Sequence, residues 1–181
     1  MNFLKLILAF APWILFKLIA GHSMLRLKTG IIVALITCII LGVKGIHKGF
    51  IFIGGLLFFG FSLVAVVVLE DAWVARHMGV LATGTLAVLS WLSILTKHPF
   101  TLAYARSAVD KSQWDSPGLI RRSYLMTGVW ASIFSVNVAV NIFKLYHGEI
   151  SGWIYEAVQY AFIFLGILFT IYYPKWASRI K

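Results

Sequence analysis

Amide and carboxyl groups set inside apolar runs are where this sequence could do chemistry. Asn137 and Asn141 stand four residues apart and so share one helical face, with Ser132 and Ser135 nearby. Glu156 and Gln159 lie within one turn of each other in the next apolar run. A tight hairpin between the two runs would let these faces meet as a Glu–Asn–Gln cluster. Burying such groups in lipid is costly, so they point to function. The cluster could hold a cation, a proton or a polar headgroup. It could equally supply hydrogen bonds between neighbouring helices, worth about 0.6–2 kcal/mol each. Glu156 sits one turn inside the run and could instead snorkel. Lys17 is a further charge inside an apolar run. Its ordinary fate is to snorkel to the interface, and Glu156 or Asp71 could pair with it.

The five histidines, His22, His47, His77, His98 and His147, all fall at the ends of apolar runs or between them. Haem held in a helical bundle needs histidines facing each other inside the helices. No two of the histidines stand at a ligand spacing such as i, i+4. No phosphate loop, nucleophile elbow or zincin motif is present. The sequence therefore predicts no catalytic residues, no metal ligands, no cofactor and no enzyme. Cys38 stands alone, cannot form an intramolecular disulfide, and reads as a small lipid-facing or packed residue.

The elements that must position these residues are membrane spans. The chain has 181 residues, 61% hydrophobic and 12% charged, against about half and about a quarter for soluble domains. The apolar residues gather in runs of roughly 18–20, enough to cross about 30 Å of hydrocarbon. The predicted fold is all-α: a polytopic bundle of about six transmembrane helices forming one domain over residues 1–181. The spans are residues 3–20 with a kink at Pro12, 25–43, 50–69, 73–95, 124–143, and 152–173 ending at Pro174. The first reads as an uncleaved helix rather than a signal peptide, because Lys17 interrupts it. Arg26 and Lys28 must snorkel. Short links at 44–49 and 145–151 make their neighbouring helices antiparallel.

Residues 96–123 form the one long connection, with Pro99, a turn at Ser116-Pro117-Gly118 and the pair Arg121-Arg122. Phe100, Ala103, Tyr104 and Ser107 fall at i, i+3, i+4, i+7, which predicts a short interfacial helix with Phe100 and Tyr104 among the headgroups. Lys97, Arg106, Lys111, Arg121 and Arg122 are its candidate lipid-headgroup contacts.

Charge sets the orientation. With six spans, eleven of the 16 Lys and Arg fall on the side of both termini and of the long connection. That asymmetry predicts cytoplasmic termini and a cytoplasmic 96–123 segment facing an anionic inner leaflet. The formal charge of +10 is thereby explained without nucleic acid. Trp73, Trp153 and Trp176 lie near span ends, as interfacial belts require. Small residues (Gly42, Gly45 and Gly49; Gly54, Gly55 and Gly60; Gly79, Thr83 and Gly84; Ala131, Ser135 and Ala139) offer close helix contacts within one bundle or a homo-oligomer.

Phe10-Ala11-Pro12-Trp13 near the start, Lys97 to Phe100 after the fourth span, and Trp130 with Asn137 and Asn141 in the fifth carry a resemblance. In these features and in length the chain resembles the bacterial intracellular septation protein A family of small inner-membrane proteins. Thr101 to Arg106 and the Trp114-Asp115-Ser116-Pro117 turn depart from that pattern and look more like uncharacterised bacterial membrane proteins. The resemblance implies a multi-pass inner-membrane protein of envelope maintenance, working non-catalytically through membrane partners and lipid. Two other readings stand beside it: a small transporter or channel using the polar face of helices five and six, and a membrane redox or metal protein.

Overall fold

The computed structural model describes residues 3–21, 23–44, 49–147 and 151–177. Gly45, His22, His47, Lys48, Glu149, Arg179 and Lys181 lie outside them. Among the described residues no strand forms, and the helices are α1 (Phe3–Ile19), α2 (Met24–Val43), α3 (Phe50–Ser62), α4 (Ala72–Arg76), α5 (Met78–Leu95), α6 (Phe100–Arg106), α7 (Pro117–Tyr146) and α8 (Gly152–Ala177). A π-helical turn, Leu63–Val68, prolongs α3, and a 3₁₀ turn, Lys111–Gln113, precedes α7.

Five of these segments are long and apolar enough to cross a membrane: α2, α3 with its π turn, α5, α7, and α8 as far as Tyr173. α1 is apolar too, and its 17 residues lie at the short end of the spanning range. The surface shows what surrounds them. Ile53, Leu57, Phe61, Val64 and Val68 form a stripe along one side of α3, each more than half exposed. A water-soluble protein keeps such a stripe inside. This is a multi-pass α-helical membrane protein, with its apolar side chains facing both inward and outward.

Local chemistry moved several boundaries from where the apolar runs end. Ser116-Pro117-Gly118 is the start of α7 rather than a loop turn. Proline suits a first helical position, because its missing N–H would have no partner there and its φ is already helical. α7 thus begins two turns before the apolar run, and Arg121 and Arg122 belong to a helix. Pro174 does not stop α8, which continues to Ala177. A proline costs a helix one N–H donor, and the carbonyl it frees can be satisfied locally. The expected fourth span is broken at His77 into α4 and α5. Asp71 caps α4, its carboxylate accepting from Val74 N at 2.9 Å.

The described chain divides into two compact units, residues 4–85 and residues 86–181. In the first, Trp13 and Phe16 of α1 meet Phe58 and Phe59 of α3, with ring centroids 4.9 to 6.5 Å apart. Gly55 permits this approach: a Cβ there would fall 2.9 Å from Cys38 Sγ of α2 and 3.5 Å from Trp13 Nε1. Gly42 of α2 likewise leaves room for the Phe52 ring of α3. Gly60 and Gly84 have open space beside them, so they are not contact points. Lys28 does not simply snorkel but pairs with Glu70, which follows the π turn. The hydrogen bond and charge of Lys28 hold the Glu70 carboxyl below its usual range.

In the second unit α6 packs on α7, and α7 on α8. Lys97 ends α5 in the left-handed region at φ 62°. Its N–H reaches Ile94 O at 3.0 Å and His98 N–H reaches Ser93 O at 2.9 Å, satisfying carbonyls of the last turn. Pro99 then cannot continue the helix, and Phe100 N–H donates to Ser93 Oγ at 3.2 Å. These bonds turn the chain back so that α6 lies on α7.

Candidate functional site

The intramembrane polar residues of α7 and α8 meet as an ordered ladder. Lys144 Nζ and Glu156 Oε1 lie 3.6 Å apart. Three residues further into both helices, Gln159 Nε2 donates to Asn141 Oδ1 at 3.0 Å. Eleven residues further again along both, Trp130 Nε1 donates to Thr170 Oγ1 at 3.0 Å. Equal steps in opposite chain directions define one antiparallel register. On α7 the rungs and the residues between them follow alternating steps of three and four: Trp130, Phe134, Asn137, Asn141, Lys144. That is the spacing of a coiled-coil seam. Gly166 lets the helices close, since a Cβ there would fall 2.7 Å from Ile133 Cδ1 and 3.2 Å from Trp130 Cη2.

The expected Glu–Asn–Gln cluster is therefore sorted into separate rungs. Asn141 and Gln159 pair with each other, while Glu156 pairs with Lys144 rather than with an amide. Asn137 is 2% exposed, and among the described residues its Oδ1 has no hydrogen-bond partner. Lys17 is half-buried in the last turn of α1. Asp71 caps α4, and Glu156 faces Lys144.

The 96–123 segment contains the expected short helix, but not its expected face. Phe100 and Tyr104 are buried, so they do not lie among headgroups. Helical spacing puts them on one face, and α6 packs on α7. A hydroxyl lock that helical spacing alone does not reveal holds it there. Thr101 Oγ1 donates to Ser123 O at 2.8 Å and lies 2.8 Å from Thr127 Oγ1. Ser123 and Thr127, four apart in a largely apolar stretch, were the available signal. Burial also pushes the Tyr104 phenol pKa up.

Arg106 is similarly committed. Its Nη2 donates to Asp115 Oδ1 at 2.8 Å, its Nε donates to Trp114 O at 3.3 Å, and its guanidinium lies over the Trp114 ring. Trp114 Nε1 donates back to Arg106 O at 2.9 Å. Arg122 is half-buried, whereas Lys97, Lys111 and Arg121 are exposed. The five candidate headgroup cations thus divide into three outward groups and two held by the fold.

Of the histidines, His77 and His147 stack on Trp73 and Phe143 of their own segments. Among the described residues no three His, Cys, Asp or Glu side chains converge as a metal site. The chain matches no family model, no curated protein and no solved structure.

Proposed function

We propose that this is a non-catalytic bacterial inner-membrane protein of cell-envelope or membrane homeostasis, which holds its 96–123 segment against the anionic cytoplasmic leaflet. The carrying observation is the division of polar groups. Those inside the spans largely pair with one another (Lys144 with Glu156, Asn141 with Gln159, Trp130 with Thr170, Trp91 with Ser135), which is structural use. Lys97, Lys111 and Arg121 instead stay exposed on one connection and the start of α7. The excess of Lys and Arg on that side favours a cytoplasmic placement of this segment and of both termini. The envelope role rests on the resemblance to the septation protein A family. The other reading, a small solute path along α7 and α8, draws on the unpartnered Asn137 oxygen.

The test compares the whole chain in nanodiscs of zwitterionic lipid and of the same lipid with anionic phosphatidylglycerol. Three exposed cations at about 1 kcal/mol each give about 3 kcal/mol of lipid-dependent stabilisation. The unfolding midpoint should rise in the anionic bilayer, and high salt should reduce the rise. The K97A/K111A/R121A triple variant should lose most of it. Equal midpoints in both bilayers would reject the anionic-leaflet reading.

A further inference from the structure

The α7–α8 seam contains one rung that the ladder does not complete. Asn137 lies seven residues beyond Trp130 and four before Asn141, on the face that carries the two amide and indole bonds. Counting from the Gln159 rung, the α8 position opposite it is Ile163, whose side chain has no donor to offer. A carboxamide oxygen has two lone pairs, and leaving it dry in a buried site costs more than immobilising one water molecule.

We propose that Asn137 Oδ1 is the acceptor of a water site buried in the α7–α8 seam, beside the Asn141–Gln159 pair. Asn137 and Asn141 are one turn apart, about 6 Å along the axis. One water with two bonds of about 2.8 Å links polar atoms about 4.5 Å apart, a separation that side chains one turn apart can reach. The surrounding charges favour water over a cation. The Glu156 carboxylate, next along the seam, already faces Lys144 at 3.6 Å. A metal ion at Asn137 would therefore bring its charge into the membrane without an anion to offset it. Between Asn137 and the Trp130–Thr170 rung the seam is apolar, with Phe134 buried and Gly166 closed upon by Ile133 and Trp130. The water site thus lies between the Asn141–Gln159 pair and that apolar stretch.

The whole chain contains three asparagines, so protein labelled at asparagine and alanine and reconstituted in bilayers suits water-edited solid-state NMR. Magnetisation from water should reach Asn137 Cγ several-fold faster than Ala131 Cβ, a fully buried group on the same helix. Equal build-up at the two carbons would overturn the proposal. Exchanging choline for sodium or potassium should leave the Asn137 Cγ shift unchanged, and a saturable change would replace water with a cation. Asn137→Leu supplies an independent readout of similar size. If water satisfies the amide, the variant should unfold several degrees lower. If the amide is dry, removing an unpaired polar group should leave the midpoint unchanged or raise it, against the proposal.

Discussion

Replacing Gly166 with leucine should unseat α8 from α7 and lower stability by about 2–4 kcal/mol, the sum of overpacking and one lost hydrogen bond. The position has no room for a side chain. Its Cβ would lie 2.7 Å from Ile133 Cδ1, the movable end of a flexible chain, but also 3.2 and 3.3 Å from Trp130 Cη2 and Cζ3. Trp130 cannot yield cheaply, being buried with its Nε1 on Thr170 Oγ1. Either the helices separate or that indole bond breaks. Gly84→Leu is the control, because open space surrounds Gly84 and leucine is the better helix former. Reversible unfolding in mixed micelles should show a large loss for the Gly166 variant and little or none for the control. Equal effects would mean that the register drawn from the ladder is wrong.

Thr101→Val should release α6 from α7. Valine keeps the shape and removes only the hydroxyl. Thr101 is fully buried, and that hydroxyl reaches both Ser123 O and Thr127 Oγ1. Its loss deprives Thr127 of a partner in a site closed to water, at a cost of about 1–3 kcal/mol. Each 1.4 kcal/mol is about a factor of ten in a local opening equilibrium. Amide hydrogen exchange over Phe100–Arg106 should therefore accelerate roughly 10- to 100-fold. Ser107→Ala, at an exposed position where the hydroxyl bonds only within its own turn, should change it little. No acceleration in the Thr101 variant would show that apolar packing of Phe100 and Tyr104 alone holds α6.

The spans were legible because lipid imposes a simple demand. Each must be long, apolar and internally hydrogen-bonded, and composition reports all three. Their ends were less legible, because caps and breaks turn on single bonds. Pro117 reads as a turn until the helix after it is seen to use its fixed φ. Arg76-His77 stands near one end of the expected fourth span, where a charge reads as snorkelling rather than as a break between two helices. The shared faces of Asn137 with Asn141 and of Glu156 with Gln159 followed from helical period. Their pairing did not, since it depends on the register of α7 against α8. That register rests partly on Gly166, an isolated glycine in an apolar run with no repeating pattern to mark it. Phe100 and Tyr104 teach the same point. Periodicity places two aromatics on one face but does not say whether lipid or a helix covers it.

The most direct test of the membrane arrangement is sidedness, since a basic segment outside the cytoplasm would have no anionic inner leaflet to meet. Ser112 is exposed in the 3₁₀ turn between α6 and α7, and the native thiol of Cys38 is fully buried. A Ser112→Cys variant in a bacterial inner membrane can be probed with a membrane-impermeant maleimide. A cytoplasmic 96–123 segment gives labelling in inside-out vesicles and protection in spheroplasts. Labelling in spheroplasts with protection in inside-out vesicles would contradict it.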